Sequence, residues 1–187
     1  MGNIQHTRQF AIVVAHDSRL GIGKNDVLPW KIDEDRIFFR NLTRSVKEPN
    51  SQNLVIMGRK TWESIPSQHR PLKGRINLVL THRQSLCVPQ EVLVCHSVAA
   101  AMEKIDSIQF ETCFVIGGGS VYGYALKDKR FDTIHLTEVA GDFHCDVFFP
   151  QYKKSFALSQ QSPVKEENGL TYRFSVYKRE NSGTLEL

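Results

Sequence analysis

The sequence predicts an α/β fold: one domain built on a mostly parallel twisted sheet, with helices on both faces and an antiparallel edge near the C-terminus. Three observations carry this reading. Short apolar, β-branched runs alternate with helical patterns. The runs are nearly continuous in apolar residues, which implies a sheet covered on both faces and hence parallel pairing with helical crossovers. The last two strand candidates have no helical pattern between them, so they pair antiparallel. A length of 187 residues suits one domain, able to bury about 70% of its unfolded surface. Residues 1–187 are read as a single unit with its core at about 10–179, a short polar N-terminal extension and a C-terminal tail.

The elements follow in order. Residues 10–15 (FAIVVA) read as a buried strand. A helix follows over 33–46. Its apolar stripe, Phe38, Phe39, Leu42 and Val46, falls at i+3, i+4, i+7 and i+11 from Asp35, with Ile32 one turn back. Strands are expected at 54–57, 76–80, 91–95 and 113–116, and helices at 60–65, 97–105 and 120–126. The final pair of strands spans 133–139 and 170–179, joined by a turn-rich stretch over 146–169. Residues 181–187 read as a frayed tail.

Composition excludes several classes of function. With 41% hydrophobic and 24% charged residues, the chain is an ordinary globular protein. No apolar run approaches the roughly 18 residues of a membrane span, and the polar N-terminus lacks a signal-peptide apolar region. Cys87, Cys95, Cys113 and Cys145 show no Cys-x-x-Cys pair and no metal-ligand spacing with histidine, so reduced thiols in the cytoplasm and no metal site are expected. The net charge of +4 comes without a long basic run. Short basic clusters instead follow apolar strands, which suits a small polyanion at a sheet edge better than nucleic acid.

The residues that carry chemistry begin with Asp35. Helix periodicity turns Asp33 and Glu34 away from the apolar stripe and leaves Asp35 on it. An ionised carboxylate in an apolar setting is costly without a partner, so such a group is commonly kept for a task. The plainer alternative is an acid in the first turn of a helix capped by Asp33. Two strand-to-helix junctions are glycine-rich: Gly58-Arg59-Lys60-Thr61 and Gly117-Gly118-Gly119-Ser120-Val121. Each offers free backbone amides at a helix start, the first with two cations besides. With Thr81-His82-Arg83 at a third strand end, they point to a phosphorylated dinucleotide, because ligands of open α/β sheets collect at the carboxyl ends of strands. Arg75, after a proline-fixed turn, could present a guanidinium fork to a carboxylate or be part of a solvated basic loop.

Five blocks in order then carry a family resemblance: GIGKN with LPW, LVIMGRKTW with SIP, RPLKGRINLVL, VIGGGSVY, and DVFFP at 146–150. From about residue 10 to 178 the chain resembles dihydrofolate reductases. The resemblance implies an eight-stranded, mostly parallel sheet and NADPH-dependent reduction of 7,8-dihydrofolate to tetrahydrofolate, in support of one-carbon metabolism. It further implies a cytoplasmic monomer that binds dihydrofolate and antifolate inhibitors, with no membrane or nucleic acid as a main partner.

Carried over residue by residue, Asp35 takes the place of the active-site carboxylate and Thr137 that of its hydroxyl partner. Trp30 matches the indole that holds an ordered water beside it. Phe39 matches the aromatic packed on the pterin, and the carbonyls of Val13 and Ile116 those receiving its amino group; Val14 and Tyr122 join the substrate set. Arg75 matches the clamp on the glutamate α-carboxylate, and Ile65 and Leu72 the benzoyl walls. Arg59 with Thr81, His82 and Arg83 matches the 2′-phosphate region. Lys60, Thr61 and the run Gly117, Gly118, Gly119, Ser120, Val121 match the pyrophosphate cradle, with a cis peptide at Gly117-Gly118. Ala15, Ile22, Gly23, Gly58 and Tyr122 complete the cofactor set. Residues 21–30 match a mobile lid over the nicotinamide, with Leu28 as its apolar tip. In one respect the chain departs from the family, which shows two spacings from the Pro-Trp corner to the carboxylate. Here only the five-residue spacing finds an acid. Arg36, one residue on, stands where the family usually has an apolar residue contacting the benzoyl-glutamate portion, and is read as a substrate contact, a second cation for the glutamate tail, over the alternative of a solvent-facing side chain. A non-catalytic folate- or nucleotide-binding module and a related pterin or pyrimidine reductase are the alternatives.

Overall fold

The computed structural model describes residues 8–180. The expectations for the polar N-terminal residues before 8 and for the tail after 180 lie outside the described residues. The strands are β1 (Gln9–His16), β2 (Gly21–Gly23), β3 (Asn53–Gly58), β4 (Arg75–Leu80), β5 (Leu93–Cys95), β6 (Thr112–Val115), β7 (Thr133–Val139), β8 (Val147–Phe148), β9 (Phe156–Gln161), β10 (Lys165–Glu167) and β11 (Leu170–Arg179). The helices are α1 (Asp33–Arg44), α2 (Arg59–Ser64), α3 (Val98–Asp106) and α4 (Gly119–Ala125).

The main sheet runs β10-β11-β7-β1-β6-β3-β4-β5, eight positions across, with β9 also pairing β11. Pairing is parallel from β7 through β1, β6, β3 and β4 to β5, and antiparallel where β11 meets β7, β9 and β10. β9 and β10 lie end to end along β11, since β10 pairs residues 170–172 and β9 residues 175–179. The central strands are buried along most of their length, as parallel strands between two helical layers must be.

Strand alternation sorts the core into two layers. Ile12, Val14, Leu54, Ile56 and Leu136 face α3 and α4, where Ala101, Ile105 and Ala125 are fully buried. Ala11, Val13, Val55, Met57 and Phe114 face the other way, onto Trp62 of α2 and the half-buried Phe39 and Leu42 of α1. Among the described residues, no helix is long and apolar enough to cross a membrane. No group of side chains there could hold a metal ion.

Several boundaries differ from expectation for physical reasons. α1 stops at Arg44 rather than 46, because the buried Asn53 side chain takes the carbonyls of Thr43 and Ser45 at 3.1 and 2.8 Å. Its N-terminus is not capped by Asp33. Ile32 is the N-cap residue, and the Glu167 carboxylate accepts from the amides of Asp33 and Glu34 at 2.6 and 3.1 Å. Glu91 and Val92 belong to a turn closed by Val92 N–H donating to Pro89 O at 3.0 Å, so β5 begins at Leu93. The turn-rich stretch over 146–169 contains β8, β9 and β10.

Candidate active site

A cleft of about 1170 Å³ opens at the carboxyl ends of β1, β3, β4, β5 and β6. This is where an open α/β sheet places its ligands. Its volume exceeds the roughly 300–1,000 Å³ of a site for one small molecule. Every candidate residue drawn from the sequence lines this one cleft except Thr137 and Arg75. Those two stand behind lining residues.

Asp35 occupies the first turn of α1, and its Oδ1 accepts a 2.6 Å hydrogen bond from Thr137 Oγ1. Register explains the pairing, because β7 sets Thr137 beside Ala15 at the carboxyl end of β1. Burial raises the Asp35 carboxyl above the ordinary carboxylate range. The Thr137 bond and the charge of Arg36 oppose this, and Glu167 adds to it. Helical phase separates the neighbouring acids as expected. Glu34 turns to Lys165 and the Tyr172 hydroxyl, and Asp33 pairs with Arg36 at 3.3 Å. The expected stripe divides: Phe38 packs against Phe174 of β11, ring centroids 4.4 Å apart and tilted by 30°, while Phe39 lines the cleft. Only Thr43 of α1 is fully buried.

Around Asp35 the cleft offers Phe39, Ile65, Leu72 and Ile116 as apolar wall. The Tyr122 hydroxyl donates to Val13 O at 2.7 Å, which fixes that carbonyl at the end of β1. The Trp30 Nε1–H is buried and has no hydrogen-bond partner among the described residues, so it is a donor left for a molecule in the cleft. Arg36 lies at the mouth with its side chain 65% exposed.

Arg75 supports this wall from outside. Its Nη1 donates to Thr43 Oγ1 at 2.7 Å, its Nε donates to Lys73 O at 3.3 Å, and its guanidinium lies 5.8 Å from the Phe39 ring centroid. Burial, with the nearby charges of Arg44 and Arg40, pushes its pKa down to about 10. Among the described residues it makes no ion pair with a carboxylate. A guanidinium desolvated among other guanidiniums favours an anion brought from outside.

The other arm of the cleft lies between the two glycine junctions. Gly58 N–H donates to Gly117 O at 2.8 Å, drawing the starts of α2 and α4 together. Gly117 has φ of +124°, and a Cβ there would meet Thr61 Oγ1 at 3.3 Å and the Tyr122 hydroxyl at 3.4 Å. The Gly117-Gly118 peptide is cis. Neither α2 nor α4 has a side-chain cap, so their first amides remain available in the cleft. Lys60, Arg59, Arg83 and His82 supply cations or potential cations along the same arm. Free amides, close backbone and basic side chains together suit a diphosphate with a further phosphate beyond it.

The loop over residues 17–28 borders this arm, with Lys60 Nζ donating to Asp26 Oδ1 at 3.1 Å. Asp17 anchors its base by accepting from the amides of Arg19, Gly21 and Phe143 at 2.8, 2.7 and 3.1 Å. Asp146 holds its middle, with N–H donating to Gly23 O at 3.0 Å and Oδ2 accepting from Asn25 N–H at 2.9 Å. Ile22, Gly23 and Leu28 line the cleft, and Leu28 remains 53% exposed. Sequence reasoning missed other lining residues, among them Pro66, Val147 and the group His96, Ser97 and Val98. The last group follows β5 directly, so the strand-end rule applied to β3, β4 and β6 would have found it.

Comparison with known proteins agrees with this geometry. A sequence model of the family described as dihydrofolate reductase matches residues 9–179. A dihydrofolate reductase of Aedes albopictus is 34% identical over 92% of this chain and 98% of its own length. A putative dihydrofolate reductase of Caenorhabditis elegans is 38% identical over 91% of this chain and 97% of its own. The bifunctional dihydrofolate reductase-thymidylate synthase of Daucus carota is 40% identical over 96% of this chain but only 35% of its own length. The chain therefore spans about a third of the bifunctional plant relatives that it matches. The chain belongs to the dihydrofolate reductase family.

Proposed function

We propose that this chain reduces 7,8-dihydrofolate to 5,6,7,8-tetrahydrofolate with NADPH, as a single domain acting as a cytoplasmic monomer. One observation carries the reading: a carboxylate of raised proton affinity, held by Thr137 in an apolar cleft beside a dinucleotide-sized arm. Bound NADPH supplies the hydride that goes to C6 of the pterin. Asp35 holds the pterin amino group and ring N–H and supports protonation at N5. A proton affinity raised by burial suits a general acid better than an ordinary carboxylate would. Thr137 fixes the carboxylate's orientation, and Tyr122 fixes the Val13 carbonyl as a second acceptor for the amino group. Phe39, Ile65 and Leu72 pack the pterin and benzoyl rings, and Arg75 takes the α-carboxylate of the glutamate. The lid, with Leu28 at its tip, excludes water from the reacting face.

The basic arm supports NADPH over NADH. Arg59, His82 and Arg83 gather where a 2′-phosphate would reach, while Lys60, Thr61 and the glycine run attend the pyrophosphate. Four free cysteines, three of them buried, accord with a reducing compartment. The test is direct: the near-ultraviolet absorbance of NADPH should fall when purified protein and dihydrofolate are mixed, and only when both are present. No loss with dihydrofolate, or equal loss with NADH, would refute the assignment.

A further inference from the structure

The 2′-phosphate arm contains an acid that its proposed role does not require. Glu63 lies one turn after Arg59 on α2, so the two side chains share a face of the helix. Its Oε2 pairs with Arg59 Nη1, and its Oε1 lies 3.8 Å from Arg83 Nη1. Both arginines line the cleft, whereas Glu63 does not. A carboxylate outside the lining thus faces two guanidiniums that come from different elements, the start of α2 and the turn after β4, bonded to the first and 3.8 Å from the second.

We propose that Glu63 is a specificity-determining residue of this subsite, an internal anion that competes with the cofactor's 2′-phosphate for Arg59 and Arg83. The proposal rests on the reading of this arm given under Proposed function. Two arginines alone offer a double positive charge, and Glu63 reduces it to a single one. A guanidinium presents its donors in one fixed fork, so a donor engaged by Glu63 must be released or shared when a phosphate arrives. The incoming group carries about −1.5 to −2 near neutral pH and is repelled by the same carboxylate. NADH lacks this phosphate and is indifferent to the competition. Glu63 therefore holds NADPH affinity, and the preference over NADH, below what the two arginines would give. Oxidised and reduced cofactor carry the same phosphate, so the carboxylate also favours departure of NADP⁺ after turnover.

The experiment measures dissociation constants for NADPH and NADH by quenching of intrinsic tryptophan fluorescence, using the whole chain. Wild type is compared with Glu63→Gln and Glu63→Ala, which remove the charge, and with Glu63→Asp, which retains it. Both neutral variants should bind NADPH about three- to tenfold more tightly, the scale for one screened surface charge acting on a dianion. Their NADH affinity should stay within about twofold of wild type, as should NADPH binding by Glu63→Asp. The gain should shrink as salt is raised. Damage to the fold would weaken both nucleotides and could not imitate this pattern. Weaker NADPH binding by the neutral variants would overturn the proposal and make Glu63 an aligning group for Arg59. Unchanged affinities would reduce it to an exposed ion pair without effect, and equal shifts for both nucleotides would also overturn it. Wild type binding neither nucleotide would refute the reading of the arm itself, a result distinct from all of these.

Discussion

Replacing Asp35 by Asn tests the centre of the site without dismantling it. The Asn amide oxygen can still accept the 2.6 Å hydrogen bond from Thr137, so the pocket keeps its shape and loses only charge and proton. Among the described residues the only other carboxylate lining the cleft is Asp26, which sits on the loop after β2 with Lys60 at 3.1 Å and cannot take over. Losing general acid–base assistance commonly costs a factor of about 10²–10⁴, equivalent to about 3–5 kcal/mol of barrier. With no substitute acid in reach, turnover at neutral pH should fall by about 10³. Stopped-flow measurement of a single turnover, across pH, isolates the chemical step. Where proton supply is the missing function, solution acid can replace it, and the deficit should shrink with acidification below the pH at which wild-type turnover levels off. A variant with wild-type turnover at every pH would refute the assignment. A deficit independent of pH would make Asp35 a binding group only. Stability should move the opposite way. Burial raises the folded-state proton affinity, so the folded chain binds the extra proton between the unfolded and folded pKa values, and stability falls as pH rises through that window. The penalty is absent in acid below the unfolded-state pKa and grows as pH rises above it. Asp35→Asn should therefore melt above wild type at neutral pH, with the advantage vanishing near pH 4.

Thr137→Val removes a donor that favours the ionised carboxylate, a bond of a kind worth about 1.5–3 kcal/mol. Asp35 should be pushed further upward and the pH profile of turnover displaced to higher pH; an unmoved profile would show that the bond does not tune the acid. Arg75→Lys keeps the charge but loses the fork held by Thr43 Oγ1 and Lys73 O, so KM for dihydrofolate should rise about 10- to 100-fold. KM for NADPH should not move, and neither should KM for an analogue lacking the glutamate. Changing His82 and Arg83 together to Gln should raise KM for NADPH far more than for NADH, and equal effects would remove these two residues from the 2′-phosphate.

The fold was legible where burial is continuous and obscure where the sheet is polar. β1, β3 and β6 announce themselves because both faces are covered. β9 buries Phe156 and then exposes five residues in succession, so it shows neither an apolar run nor alternation. It is a strand because β11 offers an edge to pair with. β10, Lys165-Glu166-Glu167, is fixed the same way, and it delivers Glu167 to the start of α1 across 134 positions of sequence. Such a cap in trans has no local signature. A motif search at the helix start finds three acids in a row and assigns the cap to one of them.

The site follows the same division between local periodicity and tertiary register. Asp35 could be singled out because a helix fixes the direction of each side chain relative to its neighbours. Glu34 and Asp33 accordingly find partners elsewhere. Thr137 is 102 residues from Asp35 and becomes its partner only through the pairing of β7 with β1, which no spacing encodes. Arg36 shows what phase implies for the residue after the acid. One step along the helix turns its side chain about 100° away. It lies at the mouth, 65% exposed and paired with Asp33, rather than deep beside the pterin wall. From there its charge still opposes the burial that raises Asp35. A cation in this position acts on the acid through its field, lowering the proton affinity that burial raises.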